Sequence, residues 1–371
     1  MIGKEERAAV LRVMDRGILS GYRGCWDRSF CGGQEIKALE REWEAYFGVK
    51  HAIACNSATS GLWMACAAIG LQQHIPCNFD KIKHYDVSET IVSPYSMTCS
   101  ASIPLHFGCK PVFADIEGDY YYLDPNSVEK AISERTKAII VVDLFGQPYD
   151  ADAINSIAEK YSKKYGHKIY VIEDAAQAIG AKCKGKYAGT LGDIGVYSLN
   201  VHKHIHCGEG GVVVTDNDEL AMKIRLAMNH SEAVVNDMGI KYCKATHPVS
   251  YHLYESIIGM NMRMTELQAA VAREQLKKLE GILKSVREHA KYFPVKVRPD
   301  CEHAYYRYAM TYSEWTKLPE EWHYMYNWKQ HYITPLYKLP LFQSLGYDQN
   351  QCPVCEEVEE NIVLAWLRET P

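Results

Sequence analysis

Short apolar runs at 51–55, 90–92, 111–115, 138–142, 169–172 and 211–215 recur through the first part of the chain. They are too brief for helices, rich in β-branched residues and bounded by turn-forming ones, so they read as strands. Longer amphipathic segments lie between them; the clearest, Glu35 to Tyr46, spaces Ile36, Leu39 and Trp43 along one face and continues that face to Phe47. Such alternation predicts an α/β fold, a mostly parallel mixed sheet flanked by helices. After Glu219 the pattern turns mainly helical, and a stretch from Met264 to about Tyr292 is long enough to join two lobes. The expected division is a large domain over 1–245 and a smaller C-terminal α/β domain over 246–371. A chain of 371 residues can bury both.

Composition removes several classes of function. The formal net charge is −5, with lysines and arginines interspersed among acids, so there is no electrostatic case for nucleic acid. No apolar run reaches the roughly 18 residues of a membrane helix, and the first residues lack a signal core. A cytoplasmic protein with no membrane partner is expected. The 13 cysteines are odd in number and scattered, which fits reduced thiols rather than a disulfide framework. Cys352 and Cys355 form a C-x-x-C without a second pair, and His202, His204 and His206 alternate without further ligands, so no metal is expected. The polar segment from Gln72 to Val87 reads as a surface insertion.

Two segments carry chemistry. In one, the apolar Val171-Ile172 delivers Glu173 and Asp174 into the small-residue loop Ala175-Ala176-Gln177-Ala178-Ile179-Gly180; in the other, Ser198 precedes Lys203, which leads into Gly208-Glu209-Gly210-Gly211 and a strand. A lysine amine can hold an aldehyde as a Schiff base, and a carboxylate can keep a pyridine nitrogen protonated. The pair suggests pyridoxal 5'-phosphate (PLP), with Lys203 and Asp174 catalytic. Gln177 can donate to the ring's phenolic oxygen. Ser198 and the strand-to-helix turn at Ala58, Thr59 and Ser60 can hold the phosphate, because backbone N–H groups point outward at a helix start. Each residue also has an ordinary reading: Lys203 as a solvated lysine, Asp174, Thr59 and Ser60 as helix caps. Having both segments in one chain favours the cofactor.

These motifs, EDAAQAIG and SLNVHKHIHCGEGG, resemble the DegT and StrS group of sugar aminotransferases among fold-type I PLP enzymes. The likeness continues through Leu19-Ser20-Gly21, Phe47-Gly48-Val49, Asn56-Ser57-Ala58-Thr59-Ser60-Gly61, Pro111-Val112-Phe113, Arg225 to His230 and Asn261 to Ala270. The resemblance implies transfer of an amino group from an amino acid, L-glutamate in expectation, through pyridoxamine phosphate to a keto-sugar on a nucleotide. It also implies a homodimer with shared sites, in which Asn229 reaches the partner's PLP phosphate. The family commonly stacks an aromatic ring on the cofactor; alignment puts Met97 or Cys99 there, with Tyr95 as the substitute if the loop bulges. Two alternatives stay open: a pyridoxamine phosphate-dependent sugar 3-dehydratase, with the histidines flanking Lys203 as bases, and a non-catalytic PLP-binding regulator.

Overall fold

The computed structural model describes residues 2–24, 28–71, 87–231, 257–348 and 351–367. The expected insertion from Gln72 to Val87, Val87 itself excepted, and the expected domain boundary near 245 lie outside them. Strands β1 (His51–Cys55), β2 (Glu89–Val92), β3 (Lys110–Phe113), β4 (Thr136–Val142) and β5 (Tyr170–Asp174) appear close to where the β-branched runs placed them. β6 (Lys182–Cys183) and β7 (Lys186–Tyr187) form a small hairpin, followed by β8 (Ile194–Ser198) and β9 (Gly211–Thr215). The main sheet has seven strands in the order β1-β9-β8-β5-β4-β2-β3.

One strand breaks the parallel pattern. β9 runs antiparallel to both β8 and β1, while β8, β5, β4, β2 and β3 pair parallel. The cause is the short link between β8 and β9: parallel neighbours need a crossover of a dozen or more residues, usually helical, and 199–210 form a tight irregular loop without a helix. That loop carries Lys203, so the reversal turns the lysine back over the sheet's end.

Helices cover the faces. After α1 (Lys4–Arg16), α2 (Gln34–Phe47) buries Ile36, Leu39, Trp43 and Phe47 and stops at Gly48 in the left-handed conformation (φ 69°). α3 (Ala58–Ala68), α4 (Cys99–His106), α5 (Pro125–Ala131), α6 (Ala151–Tyr165) and α7 (Asp218–Met228) link the strands. The long helix α8 (Glu266–Ala290) opens on a capping box between Thr265 and Gln268, and its first residue serves a second helix. Glu266 accepts from the N–H groups of Glu35 and Ile36 at 2.8 and 3.4 Å, capping the start of α2.

Beyond α8 come β10 (Cys301–Glu302), β11 (Tyr308–Thr311), two short helices, β12 (Tyr326–Gln330), two more helices and β13 (Ile362–Leu367). β10 joins the β6-β7 hairpin, and β11, β13 and β12 make a separate antiparallel sheet. Part of this lobe returns to the main sheet. Leu336, Tyr337, Phe342, Cys352 and Cys355 belong to the same core as Val92 and Phe113, and the Asp115 carboxylate accepts from the N–H groups of Val354 and Cys355 at 3.0 and 2.9 Å. Among the described residues no helix is long and apolar enough to cross a membrane.

Candidate active site

A cavity of about 430 Å³ opens at the C-terminal ends of β4, β5 and β8, lined by Val142, Asp174 and Ser198 from these strand ends and by Lys203 from the loop after β8. Open α/β sheets place their ligand sites there. Ala58, Thr59, Cys99 and Gln177 join them, so seven of the proposed catalytic and cofactor residues converge from segments far apart in the chain.

Asp174 ends β5 and is almost wholly buried, with one oxygen accepting from the Ala176 N–H at 3.1 Å. Burial pushes its carboxyl above the usual carboxylate range, while the Ala176 N–H and the Lys203 charge pull it back. Gln177 is held in one orientation. Its Oε1 accepts from the Phe145 N–H at 2.9 Å, and its Nε2 donates to the Tyr332 hydroxyl at 3.1 Å. Phe145 sits at φ 58°, a conformation costly for a bulky residue. Lys203 places its Nζ 4.5 Å from the centre of the Tyr306 ring. A cation on an aromatic face is attracted to it.

Ser57 caps α3, its Oγ accepting from the Ser60 N–H at 3.1 Å and donating to the Ser60 Oγ at 3.0 Å. Ala58 and Thr59 therefore reach the cavity at the helix start while Ser60 does not; its N–H and hydroxyl are both engaged by the cap. Gly211 explains the end of the glycine-rich turn: a Cβ there would stand 2.6 Å from the Ser57 carbonyl carbon, so only glycine lets β9 pass this close to the turn that opens α3.

Met97, in the loop before α4, and Cys99, the first residue of α4, line the cavity, but Tyr95 is fully buried beneath it, edge-on to Tyr332 with ring centres 5.7 Å apart. The aromatic substitute is thus outside the cavity lining. Burial and the Asp174 charge push the Cys99 thiol up to about 12, so it meets the cavity as a neutral, polarisable group. Asn229 does not line the cavity of its own chain. It is buried at the end of α7, donating to the Arg23 carbonyl and accepting from Arg263, both at 2.7 Å. Of the flanking histidines, His202 lines the cavity; burial, with the Arg307 and Lys203 charges, holds His204 down to about 4 although its ring donates to the Ala304 carbonyl.

Tyr306 and Tyr332 are site residues that sequence reasoning missed. Ser57, Leu62, Asn200 and Glu209 complete the polar and apolar rim.

The donor set fits PLP. A buried carboxylate, an oriented amide, an amine, hydroxyls at a helix start and apolar walls from Leu62 and Val142 suit a flat pyridine carrying an aldehyde and a phosphate. Asp174 would hold the ring nitrogen, Gln177 the phenolic oxygen, Lys203 the aldehyde carbon, and Ala58, Thr59 and Ser198 the phosphate.

Behind Asp174 lies a second pair of acids. Asp143 donates its N–H to the Asp174 carbonyl at 3.0 Å; its carboxyl accepts from the Tyr149 N–H at 2.9 Å and meets Glu173, which accepts from the N–H groups of Leu191 and Gly192 at 2.8 and 3.2 Å. Both side chains are fully buried, and burial lifts both carboxyls, Asp143 well above the usual range with the Glu173 charge adding to it. The folded pair keeps a proton that the unfolded chain loses near the ordinary carboxylate range, so its stabilisation is present at low pH and declines as pH rises from that range through the raised folded value. Asp143→Asn, whose amide can donate to Glu173 without titrating, should flatten the decline of Tm between about pH 5 and 9. Melting curves across that window test this; an unchanged slope would show that the pair holds no proton.

The fold and this site define an aminotransferase scaffold of fold type I. The DegT/DnrJ/EryC1/StrS aminotransferase family model matches residues 22–368, and the chain belongs to that family. It is 33% identical over 327 residues to the spore coat polysaccharide biosynthesis protein SpsC of Bacillus subtilis, covering 85% of this chain and 75% of SpsC. It is 34% identical over 275 residues to GDP-perosamine synthase of Caulobacter vibrioides, covering 74% of this chain and 62% of that enzyme. The solved aminotransferase of Psychrobacter cryohalolentis superposes with a TM-score of 0.79 at 26% identity, over 99% of this chain and 92% of that one.

Proposed function

We propose that the protein is a PLP-dependent aminotransferase that moves an amino group from L-glutamate to a keto-sugar carried on a nucleotide, for amino-sugar or polysaccharide biosynthesis. The observation that carries this reading is the convergence of Lys203, Asp174 and Gln177 on one cavity. GDP-perosamine synthase and SpsC, as relatives, support a nucleotide-linked sugar and a polysaccharide product. PLP, when bound, supplies an aldehyde for the amine and a ring that takes up the electron pair left by the departing α-proton.

The chain's own residues do the rest. Lys203 would hold the aldehyde carbon of bound PLP, and its free Nζ is the base that would take the proton from the donor's α-carbon and return one to the sugar carbon. The Tyr306 face keeps that amine over the cavity. Asp174 would hold the proton on the ring nitrogen, its buried setting making that ion pair stronger than in water. Gln177, fixed by Phe145, orients the ring through its Nε2. Incubating the enzyme with glutamate and a panel of nucleotide-linked 3-keto and 4-keto sugars tests the substrate class. The expected product is an amino sugar still attached to its nucleotide; turnover of none of the panel contradicts the proposal.

The shared-site dimer rests on the family resemblance. It asks the Asn229 amide to exchange Arg23 and Arg263 for the partner's PLP phosphate. Mixed dimers of Lys203→Ala and Asn229→Ala chains should then regain activity, because one site of each hybrid has both residues. Mixing that restores nothing while hybrids form would place Asn229 in a role within its own chain.

A further inference from the structure

Cys183 on β6 and Cys301 on β10 stand directly opposite one another in an antiparallel pair, with their sulfurs 2.7 Å apart and both thiols free. The neighbouring Lys184 N–H donates to the Asp300 carbonyl at 2.8 Å, which makes that pair the hydrogen-bonded one and leaves the cysteines at a non-hydrogen-bonded position. Cα atoms come closest there, about 4.5 Å, within the roughly 4.4 to 6.8 Å that a disulfide spans. A cation is at hand. The Arg298 guanidinium lies 3.5 Å from the Cys183 sulfur and is anchored to Asp150 at 2.8 Å. Cys183 is buried and Cys301 partly exposed, so an oxidant meets Cys301 first.

We propose that Cys183 and Cys301 are a dithiol site that forms a reversible disulfide and thereby clamps the segment carrying Tyr306. β10 runs straight into residues 303–307, where the Ala304 N–H donates to the Gly146 carbonyl at 2.9 Å and Tyr306 faces Lys203. β6 follows the loop that carries Asp174 and Gln177. A bond between the two strands therefore ties together the two stretches of chain that flank the cavity from behind.

The oxidant is a low-molecular-weight disulfide. The Cys301 sulfur, having lost its proton, attacks one sulfur of that disulfide and expels the other as a thiolate; the Cys183 thiolate then attacks the Cys301 sulfur and expels the second. The protein gives up two hydrogens and two electrons, and the small disulfide leaves as two thiols. Burial and the neighbouring thiol push Cys301 up to about 12, so the first step draws on a small ionised fraction and is slow.

The full-length protein should be equilibrated in buffers of increasing oxidised-to-reduced glutathione ratio, blocked with an alkylating agent, and mapped without reduction; hydrogen exchange of both redox forms completes the experiment. The expected result is one cross-linked peptide pair joining Cys183 to Cys301, reversed by dithiothreitol, with slower amide exchange over 301–307 in the oxidised form. Cys301→Ser should lose both effects. Full alkylation of both cysteines at every ratio overturns the proposal, as does a cross-link from Cys183 to another cysteine. A bond that forms without slowing exchange over 303–307 overturns the clamp.

Discussion

Lys203→Ala is expected to lower amino transfer by at least about 10⁴-fold, because one substitution removes both the amine that holds the aldehyde and the base that moves the proton. Borohydride reduction of the native holoenzyme followed by peptide mapping should place the phosphopyridoxyl group on Lys203, and the variant should show none. Residual affinity for PLP is expected to persist, since Asp174, Gln177 and the turn at Ala58 and Thr59 remain. A modified lysine anywhere else would remove Lys203 from its role.

Asp174→Asn should cut turnover by about 10³-fold while leaving the cofactor bound. An amide has nearly the volume of the carboxylate and can keep the Ala176 N–H bond on its oxygen. It cannot hold a proton on a pyridine nitrogen. The structure adds a reason for so large an effect: Asp174 is buried at the end of a central strand, and among the described residues its charge is opposed by one N–H and by Lys203, so a bound pyridinium would be its natural counter-ion. Steady-state rates on a PLP-loaded variant, checked by absorbance, decide this. Near-normal turnover would mean that the carboxylate does not act on the ring.

Much of the sheet was legible because its strands are buried on both faces and therefore read as continuous β-branched runs. β4 as Thr-Lys-Ala-Ile-Ile-Val-Val and β9 as Gly-Val-Val-Val-Thr leave little else to form. β8 was hidden, since Ile194-Gly195-Val196-Tyr197-Ser198 mixes a glycine and polar ends into the lysine segment. The two-residue strands β6, β7 and β10 carry no periodic signal at all, and the partly exposed β12, with Asn327, Lys329 and Gln330, lacks an apolar run. The antiparallel turn of β9 depends on loop length rather than on strand composition.

The site divides in the same way. Lys203, Asp174, Gln177 and Ser198 lie within two short local motifs, so they could be picked out together, and all four line the cavity. Tyr332 could not, because its bond to Gln177 joins residues 155 positions apart, and Tyr306 reaches Lys203 through the hairpin and β10. Ser60 stays out of the cavity lining for a local reason: the N-cap is Ser57, which turns the Ser60 hydroxyl toward itself. Asp143 and Glu173 gave no warning of their meeting, since strand register alone brings β4 and β5 together.

The central claim is that nitrogen passes from the donor amino acid to the sugar, and labelled nitrogen tests it most directly. With ¹⁵N-glutamate and a nucleotide-linked keto-sugar that the enzyme turns over, each cycle should release one 2-oxoglutarate and leave one ¹⁵N in the sugar product. Lys203 is then the only base required. A nitrogen-free deoxysugar, with the label recovered as ammonia, would contradict the account and assign the chain to dehydration, with His202 at the cavity as the first residue to examine.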